Sequence, residues 1–529
     1  MKHRFKFFIP STTTTQSRTS SSFKPCLHFK NSLIRNEQYL TQCNDRKCYS
    51  MISIDNIPYT YQVQPSSHAH LMKEDEIAPG FTLEEFKQRH YNLFNLMKEN
   101  SVLILGSRKE YFMSPNVRYP YKQDSSFYYL SGVSEPDCFL VFKKTGSGNS
   151  ITLYVREKSK KEFFHGVVNG VQSLQNLWGD YLQVKQVKAF IRDLQSLVKN
   201  FNTLYYDPDY DERLSQIIVE SGGGIEFFKG PMQKYKIFYP ESLIATLRSI
   251  KSKAEIDLTK RCAHISAQAF IELMKQIRPG MSEAHAEAIL EFQCKMRGAQ
   301  RLGYPPVVAS GDRANIIHYL TNNHIMEDGD LIRIDGAAEY YGYMNDITRT
   351  FPVNGKFTPI QKMLYQVVLD IQKKCINYLK KHLTETITIN SFHDYSMYLT
   401  QDALAEHFNI GLGYGKNNAE SCQLIEEVLY PHMIGHATGM NIHEDVPGRD
   451  DKLGPGMIIT CEPGIYFSKQ VKNYIPNPQL HGLGVQIEDD ILLTENGIEI
   501  LTHETPKEVE EIEHIMSISS KTPSIPFSF

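Results

Sequence analysis

The spacing of hydrophobic and polar residues divides the first half of the chain into helical and strand-like segments. Apolar residues recur at three- and four-residue steps after Gly80, with Thr82 as the predicted N-cap, and again near 189–199. Strands are predicted for four short runs rich in β-branched and aromatic residues, at 101–106, 127–130, 138–142 and 151–155. These elements together predict an α/β domain.

The second half of the chain has the pattern of an α+β domain. A long helix is predicted before Pro279, a second begins after Ser282, and the Thr358-Pro359 pair opens a third. Strands are predicted at 306–309, 331–335, 457–462 and 485–494. We expect mostly antiparallel strands, with the helices packed against one face of the sheets.

The first 65 residues lack a sustained period and are predicted to be a leader. The segment before Glu37 is rich in Lys, Arg, Ser and Thr and contains no acidic residue. This composition is typical of a mitochondrial transit peptide, and a disordered polar tail is the alternative. The predicted organisation is a leader at 1–65, the smaller domain at 66–240, the larger domain at 245–510 and a C-terminal tail at 511–529.

Composition excludes several classes of protein. The 529 residues are 41% hydrophobic and have a formal net charge of −3, so we expect globular packing and no nucleic-acid partner. No apolar run reaches the roughly 18 residues that a membrane-spanning helix needs. The nine cysteines form no Cys-x-x-Cys pair, which favours free thiols in a reducing compartment over a disulfide framework.

Four acidic residues occupy apolar runs or their ends. They are Asp335, Asp346, Glu462 and Glu488. An irregular hairpin over 331–350 would bring the first two face to face. Two unit charges about 4 Å apart repel by about 4 kcal/mol at an effective dielectric near 20, so a cluster of four requires cations, and two divalent ions would balance it. The alternative is simple surface exposure, which we expect for Asp489 and Asp490.

Three histidines, His432, His436 and His443, lie close together in the segment PHMIGHATGMNIH. A proline and two glycines within the segment argue against one regular zinc-binding helix. A site of four carboxylates and one imidazole is rich in oxygen, which favours manganese, cobalt or iron over a structural zinc. If one histidine binds metal, the other two are free to contact a substrate, although each taken singly would more often be structural.

Several longer motifs resemble the aminopeptidase P (Xaa-Pro aminopeptidase) family of pita-bread metallopeptidases. They are YPYKQDSSFYYLSGVSEPD, HYLTNNHIMEDGDLIRIDGAAEYYGYMNDITRTFPVNGKFTP, HMIGHATGMNIHEDV, CEPGIY and GVQIEDDILLTENG. The resemblance covers roughly residues 68–510 and, with the leader, favours the mitochondrial branch, that of the intermediate cleaving peptidases. It implies an α+β pita-bread catalytic domain preceded by a smaller α/β N-terminal domain.

The resemblance also assigns chemical roles. It implies two divalent ions, with Mn²⁺ expected and Co²⁺, Fe²⁺ or Zn²⁺ as alternatives, bound by Asp335, Asp346, His436, Glu462 and Glu488. Glu462 would also act as general base or proton shuttle, and His318, His432 and His443 would contact the substrate and stabilise its intermediate. Gln486 departs from the family, because many relatives have an arginine there and a neutral amide cannot replace its ion pair with a ligand carboxylate.

The implied activity is a metal-dependent aminopeptidase. It would release one N-terminal residue from peptides or proteins, preferentially before proline, by attack of a hydroxide that the two metal ions activate. One alternative is a mitochondrial precursor-processing exopeptidase that removes a single residue without requiring proline. The other is a non-catalytic pita-bread binding module. We expect a mitochondrial homodimer or homotetramer, with the cytoplasm as the alternative location.

Overall fold

The computed structural model describes residues 62–159, 168–221, 236–383, 385–410, 423–444, 448–475 and 477–518. Residues 1–61, which include nearly all of the predicted leader, lie outside this part of the chain. From Gln62 to Lys158 and from Val168 onwards, the described residues belong to one compact unit. Among them, no helix is both long and apolar enough to cross a membrane.

A six-stranded mixed sheet forms the centre of the N-terminal half. The strands of this half are β1 Glu76–Ala78, β2 Phe81–Thr82, β3 Ser101–Gly106, β4 Phe112–Ser114, β5 Val117–Arg118, β6 Phe139–Thr145, β7 Gly148–Val155, β8 Gln183–Gln186, β9 Thr203–Tyr205 and β10 Lys236–Phe238. The sheet has the order β10-β9-β3-β6-β7-β8, with β3 parallel to β9 and antiparallel to β6. Parallel and antiparallel strands next to helices confirm the predicted α/β class of this half.

The helices of this half include one that the sequence pattern misassigned. They are α1 Leu83–Leu96, α2 Ser125–Ser131, α3 Gly170–Trp178, α4 Phe190–Asn200, α5 Glu212–Ser221 and α6 Glu241–Ser249. The Thr82 side chain caps α1, as predicted. The strand predicted at 127–130 is wrong, because these residues lie in α2. The Asp124 side chain accepts the Phe127 N–H, and Gly132 ends the helix with a φ of 59°. A short aromatic run fits a strand or a helix equally well, and here the residues at the two helix ends determine that it is helical.

Long capped helices surround the second half. They are α7 Lys253–Gln276, α8 Glu283–Met296, α9 Pro359–His382, α10 Ile389–Phe408 and α11 Val509–Ser517. Capping boxes at Ser252, Ser282 and Thr358 start α7, α8 and α9, which confirms the three predicted helices. The largest hydrophobic cluster includes Phe270 of α7 and Leu369 of α9.

The strands of the second half form several small antiparallel sheets. They are β11 Arg301–Leu302, β12 Val307–Ser310, β13 Leu331–Asp335, β14 Ala338–Tyr340, β15 Tyr343–Met344, β16 Thr348–Pro352, β17 Ile458–Cys461, β18 Gly464–Phe467, β19 Leu483–Gln486, β20 Asp489–Thr494 and β21 Gly497–Ile500. The sheets are β11-β14-β15, β12-β13-β16, β17-β20-β21 and β18-β19. Within β13-β16, Asp335 pairs with Thr348, so the predicted hairpin over 331–350 is present.

The strand predicted at 485–494 is divided between two sheets. β19 pairs with β18, whereas β20 pairs with β17 and β21. Glu488 stands at the change of sheet, and its N–H donates to the Thr348 carbonyl at 3.0 Å. The prediction that Glu488 lies inside a continuous strand is therefore wrong. An apolar run shows that residues are buried, but it does not show which sheet buries them.

The packed chain extends beyond two of the predicted limits. Gln62, within the predicted leader, is buried and its Nε2 donates to the Gly132 carbonyl at 2.9 Å. At the other end, α11 extends into the predicted tail, and its Ile512 and Met516 are buried in the largest hydrophobic cluster. The tail is therefore helical and packed as far as Ser517, and residues 519–529 lie outside the described part of the chain.

A buried arginine joins the two halves. Arg89 of α1 is 4% exposed, and its Nη1 donates to the Tyr129 carbonyl at 2.8 Å. Its Nη2 lies 3.9 Å from a carboxylate oxygen of Glu255 in α7. Glu255 also accepts the Tyr343 O–H at 2.8 Å. The charge of Arg89 thus compensates a carboxylate that is itself buried at the start of the second half.

Replacing this arginine tests how much the junction stabilises the protein. We expect Arg89→Met to lower the free energy of unfolding by about 3 kcal/mol, because Glu255 would remain buried without its cation. Urea-induced unfolding measures the change. Lys87→Met in the same helix is the control, since its pair with Glu84 is exposed and contributes at most about 1 kcal/mol. Equal losses in the two variants would contradict a stabilising junction.

Candidate metal centre

Five of the predicted residues converge from separate segments. Each lies at the end of a strand or directly beside one: Asp335 ends β13, Asp346 precedes β16, Glu462 follows β17, Glu488 links β19 to β20, and His436 lies in a segment that pairs with β17. Asp335 and Asp346 precede the other three along the chain by at least 90 residues. Only the tertiary fold brings them together.

The distances define a compact cluster of oxygen and nitrogen atoms. His436 Nε2 lies 3.4 Å from Asp346 Oδ2 and 3.4 Å from Glu462 Oε1. One ligand atom each from Asp346, His436 and Glu488 lie within 4.8 Å of one another. Asp335 reaches the same cluster through a hydrogen-bond partner that it shares with Asp346. The structure thus brings all five predicted ligands into one site.

That shared partner, Tyr304, is a residue that sequence analysis missed. Its hydroxyl lies 2.8 Å from Asp335 Oδ1 and 2.8 Å from Asp346 Oδ1. A phenol has one proton, so it can donate to only one of the two carboxylates at a time. Burial and the neighbouring negative charges raise the pKa of Tyr304 well above its usual range. The surrounding GYPP sequence indicates a turn and gave no sign of this contact.

Backbone pairing places His436 in the site. The Thr460 N–H donates to the His436 carbonyl at 2.9 Å, and the Glu462 N–H donates to the Ile434 carbonyl at 2.8 Å. A Cβ atom on Gly435 would lie 2.1 Å from the Thr460 carbonyl oxygen. Only glycine permits so close an approach. The segment is therefore extended beside β17, as the argument against a regular zinc-binding helix predicted.

The electrostatics of the cluster fit divalent cations. Burial and Asp346 raise the pKa of Asp335 to about 7, and burial with both aspartates raises that of Glu462 to about 8. Burial alone would lower the pKa of His436, but Asp346 and Glu462 raise it to about 9. Glu488 Oε1 is buried without a hydrogen-bond partner among the described residues. Divalent cations would satisfy this oxygen, relieve the repulsion and favour the deprotonated forms that bind metal.

His432 lies beside the cluster with both ring nitrogens in contact with a partner. Nδ1 lies 2.8 Å from the Met433 carbonyl, to which it donates, and Nε2 accepts from the Tyr466 hydroxyl at 2.9 Å. Burial lowers the pKa of His432 to about 4, so the ring is neutral at physiological pH. Its Nδ1 is 3.7 Å from Glu462 Oε2. These contacts fix both the tautomer and the plane of the ring.

The other two predicted histidines are exposed beside the same cluster. The ring of His443 packs edge-on against that of His436, with centroids 4.3 Å apart. Partial desolvation and the charge of His436 lower the pKa of His443. His318 lies close enough that its charge contributes to the lowered pKa values of His432 and His443. The structure therefore gathers all three predicted histidines around the ligand cluster.

The prediction that Asp489 and Asp490 are exposed is wrong, because both side chains are fully buried. Burial alone would raise the pKa of Asp489, but ion pairs with Arg349 and Lys507 hold it well below its usual range. Asp490 instead accepts the Asp346 N–H at 3.2 Å, and burial raises its pKa. Their partners lie far away along the chain, so the local sequence could not show them.

The raised pKa values predict how pH affects chelator-treated protein. Asp335, Glu462 and His436 retain protons to about pH 7, 8 and 9 in the folded state, whereas the unfolded chain releases them near pH 4, 4 and 6.5. The unfolded state therefore binds fewer protons, and the free energy of unfolding should fall as pH rises from about 5 to 9.

Thermal unfolding in EDTA across this range measures the effect. Asp335→Asn is the matched variant and should show a shallower decline, because one raised pKa is removed. Added Mn²⁺ should restore stability most strongly at the alkaline end. A midpoint that increases from pH 5 to 9 in wild-type protein would be incompatible with the cluster described above.

Comparisons with known proteins agree on one family. The family model for metallopeptidase family M24 matches residues 257–495, and that for the aminopeptidase P N-terminal domain matches residues 86–205. The chain is 35% identical to human Xaa-Pro aminopeptidase 3 over 508 residues, and this alignment covers 90% of this chain and 95% of the human protein. It is 31% identical over 479 residues to intermediate cleaving peptidase 55, mitochondrial, of Arabidopsis thaliana, covering 90% and 91%.

A solved structure supports the same assignment. Zinc-substituted Escherichia coli aminopeptidase P in complex with product matches with a TM-score of 0.73 and 29% identity, over 84% of this chain and 100% of that one. The matches confirm the pita-bread fold with its N-terminal domain, a divalent-metal site and the activity of a metalloaminopeptidase. The chain belongs to the aminopeptidase P family of metallopeptidases, within its mitochondrial branch.

Proposed function

We propose that this metalloaminopeptidase binds two divalent ions, preferentially Mn²⁺, through Asp335, Asp346, His436, Glu462 and Glu488. The observation that supports this most directly is the convergence of four carboxylates and one imidazole, with one buried Glu488 oxygen that lacks a partner among the described residues. An oxygen-rich donor set favours a hard cation such as Mn²⁺. When bound, the ions supply Lewis acidity and lower the pKa of a water molecule.

Glu462 is proposed to transfer the proton during peptide hydrolysis. Its Oε1 accepts from the Thr460 hydroxyl at 3.3 Å and its Oε2 from Gln486 Nε2 at 3.0 Å, so two neighbours fix the plane of the carboxylate. A carboxylate held in this position can take a proton from the attacking water and return it to the leaving amine. The same residue can therefore act first as base and then as acid.

The histidines are proposed to orient the substrate. His318 and His443 are exposed beside the cluster and can donate to a peptide carbonyl as negative charge develops on its oxygen. Both ring nitrogens of His432 already have partners. We therefore propose that His432 influences the substrate indirectly, by orienting the Tyr466 hydroxyl and by packing beside the Glu462 carboxylate. Direct contact with the peptide is then assigned to His318 and His443.

The role of His443 predicts a separation of turnover from metal binding. His443→Ala should lower kcat by about 100-fold while leaving the Mn²⁺ content unchanged, because one donor to the developing charge is lost. Peptide turnover and metal analysis of the same sample measure the two effects. His264→Ala is the control, since this histidine is also exposed but pairs with Glu504. Loss of metal in His443→Ala would instead indicate a ligand.

We propose a preference for proline at the second position of the substrate, a preference that the names of the Xaa-Pro aminopeptidase relatives support. The test compares a Xaa-Pro-Xaa peptide with the same peptide containing alanine in place of proline. Preferential cleavage of the proline peptide is expected. Absence of its cleavage would contradict the proposal, and cleavage restricted to two-residue substrates would indicate a dipeptidase.

The matches to intermediate cleaving peptidases favour a second candidate function, precursor processing in mitochondria. A precursor peptide beginning with Tyr or Leu and lacking proline tests it, with release of exactly one residue expected. Mapping of protein N-termini in mitochondria with and without the protein would identify natural substrates. The matches to the same relatives also support our proposal that the protein is located in mitochondria, which organelle fractionation tests.

A further inference from the structure

Arg333 in β13 is a fully buried cation that has no ion pair with a carboxylate among the described residues. Three of its hydrogen bonds go to main-chain carbonyls directly before His318: Nε donates to Ala314 at 3.0 Å, and Nη2 donates to Ile316 at 2.7 Å and to Ile317 at 3.0 Å. Burying a charge is costly unless its hydrogen bonds are satisfied. The guanidinium obtains these hydrogen bonds from the loop that contains His318, and the same bonds hold that loop in place.

The fourth bond of Arg333 leads to the metal centre. Nη1 donates to Gln486 Oε1 at 3.1 Å, and Gln486 Nε2 donates to Glu462 Oε2 at 3.0 Å. A guanidinium has only donors, so it holds the amide with its oxygen towards Arg333. The amide nitrogen must then face Glu462. Gln486 is 2% exposed, so little solvent competes for these bonds.

The Arg333 charge also lies close to the cluster. Its side chain arises from β13, two residues before Asp335, and Gln486 links it to Glu462. The positive charge that a neutral Gln486 lacks is therefore supplied from β13, a strand of another sheet. The sequence alone shows the departure from the family at Gln486 but not this compensating partner.

We propose that Arg333 is a positioning residue of the metal centre, which aligns Glu462 through Gln486 and the His318 loop through its carbonyls. One cation thereby fixes a metal-binding carboxylate and a substrate-binding histidine relative to each other. This inference rests on the proposed functions of Glu462 and His318. It makes the pair Arg333 and Gln486 a functional unit, because neither side chain alone both provides the charge and reaches Glu462.

Substitutions separate the two sets of hydrogen bonds that Arg333 makes. Gln486→Met removes only the link to Glu462, whereas Arg333→Met removes this link and the bonds to the His318 loop. Titration of chelator-treated protein with Mn²⁺ by calorimetry should show affinity lower by about 10- to 100-fold in either variant. At saturating Mn²⁺, only Arg333→Met should raise KM for the peptide, because only this change releases the His318 loop. Arg313→Met removes a cation from the same loop without touching Gln486, and it should retain wild-type Mn²⁺ affinity.

Rescue provides the decisive result. In Arg333→Met/Gln486→Arg the charge is moved to a side chain that can reach Glu462 directly, so Mn²⁺ affinity should return to within about threefold of wild type. Failure of this rescue, or wild-type Mn²⁺ affinity in Gln486→Met, would overturn the proposal. Gln486→Met decides the question if Arg333→Met does not fold. Wild-type protein that binds no Mn²⁺ would overturn the proposed ligands and this inference together, whereas equal binding by all variants would overturn this inference alone.

Discussion

Asp346→Asn is expected to lower kcat/KM by at least about 1000-fold, equivalent to about 4 kcal/mol of transition-state stabilisation. Asp346 contacts His436 at 3.4 Å and lies within the set of ligand atoms that also includes Glu488. Asparagine keeps the shape of the side chain but removes its charge. Bound Mn²⁺, measured by elemental analysis after dialysis, should fall with the activity, and near-normal content would contradict the assignment of Asp346 as a ligand.

The same substitution should have the opposite effect on the metal-free protein. Asp346 contributes to the raised pKa values of Asp335, Glu462 and Glu488, so its charge repels three buried carboxylates and attracts one group, the imidazole of His436. Asp346→Asn should therefore unfold at a higher temperature than wild type in EDTA at pH 8 and gain less from added Mn²⁺. Asp489→Asn is the control, because it removes a carboxylate that is paired with cations and should destabilise under both conditions.

Glu462→Gln is expected to lower kcat by about 1000-fold with a smaller effect on KM, because glutamine cannot accept the proton from the attacking water. The glutamine amide can still form hydrogen bonds with Thr460 and Gln486, so the local structure should persist. Steady-state turnover of a Xaa-Pro peptide at saturating Mn²⁺ measures both constants. Saturating metal matters because the substitution also weakens one proposed ligand.

A buried carboxylate outside the centre provides the control for this change. Glu255→Gln alters the junction between the two halves, where the carboxylate accepts the Tyr343 O–H. It should lower the free energy of unfolding while leaving kcat at low temperature close to wild type. If Glu462→Gln kept more than a tenth of the wild-type kcat, proton transfer would have to be assigned to another group.

The helices and the clustering of the five proposed ligands were predictable because their signals are local. Ser282 and Thr358 mark helix starts within four residues, and the five ligands stand in motifs that resemble those of the family. The strand prediction at 127–130 was wrong for a related reason. A short aromatic run fits a helix or a strand, and only the capping residues Asp124 and Gly132 show that it is a helix.

The missed features depend on partners that are distant in sequence. Tyr304 contacts two carboxylates that lie more than thirty residues further along the chain. Asp489 is buried because Arg349 reaches it from another strand, and Gln486 is functional because Arg333 holds its amide. Each of these side chains looks ordinary in its own segment. Its role follows only from the fold that brings the segments together.

The change of sheet at Glu488 has a consequence for the order of assembly. Asp335 ends β13 and Asp346 precedes β16 of one sheet, Glu462 follows β17 of another sheet, and Glu488 is reached only when the chain passes between sheets. Among the described residues, no single hairpin holds all five proposed ligands. The complete proposed site therefore forms only after these sheets have packed together, and bound ions would hold them to one another.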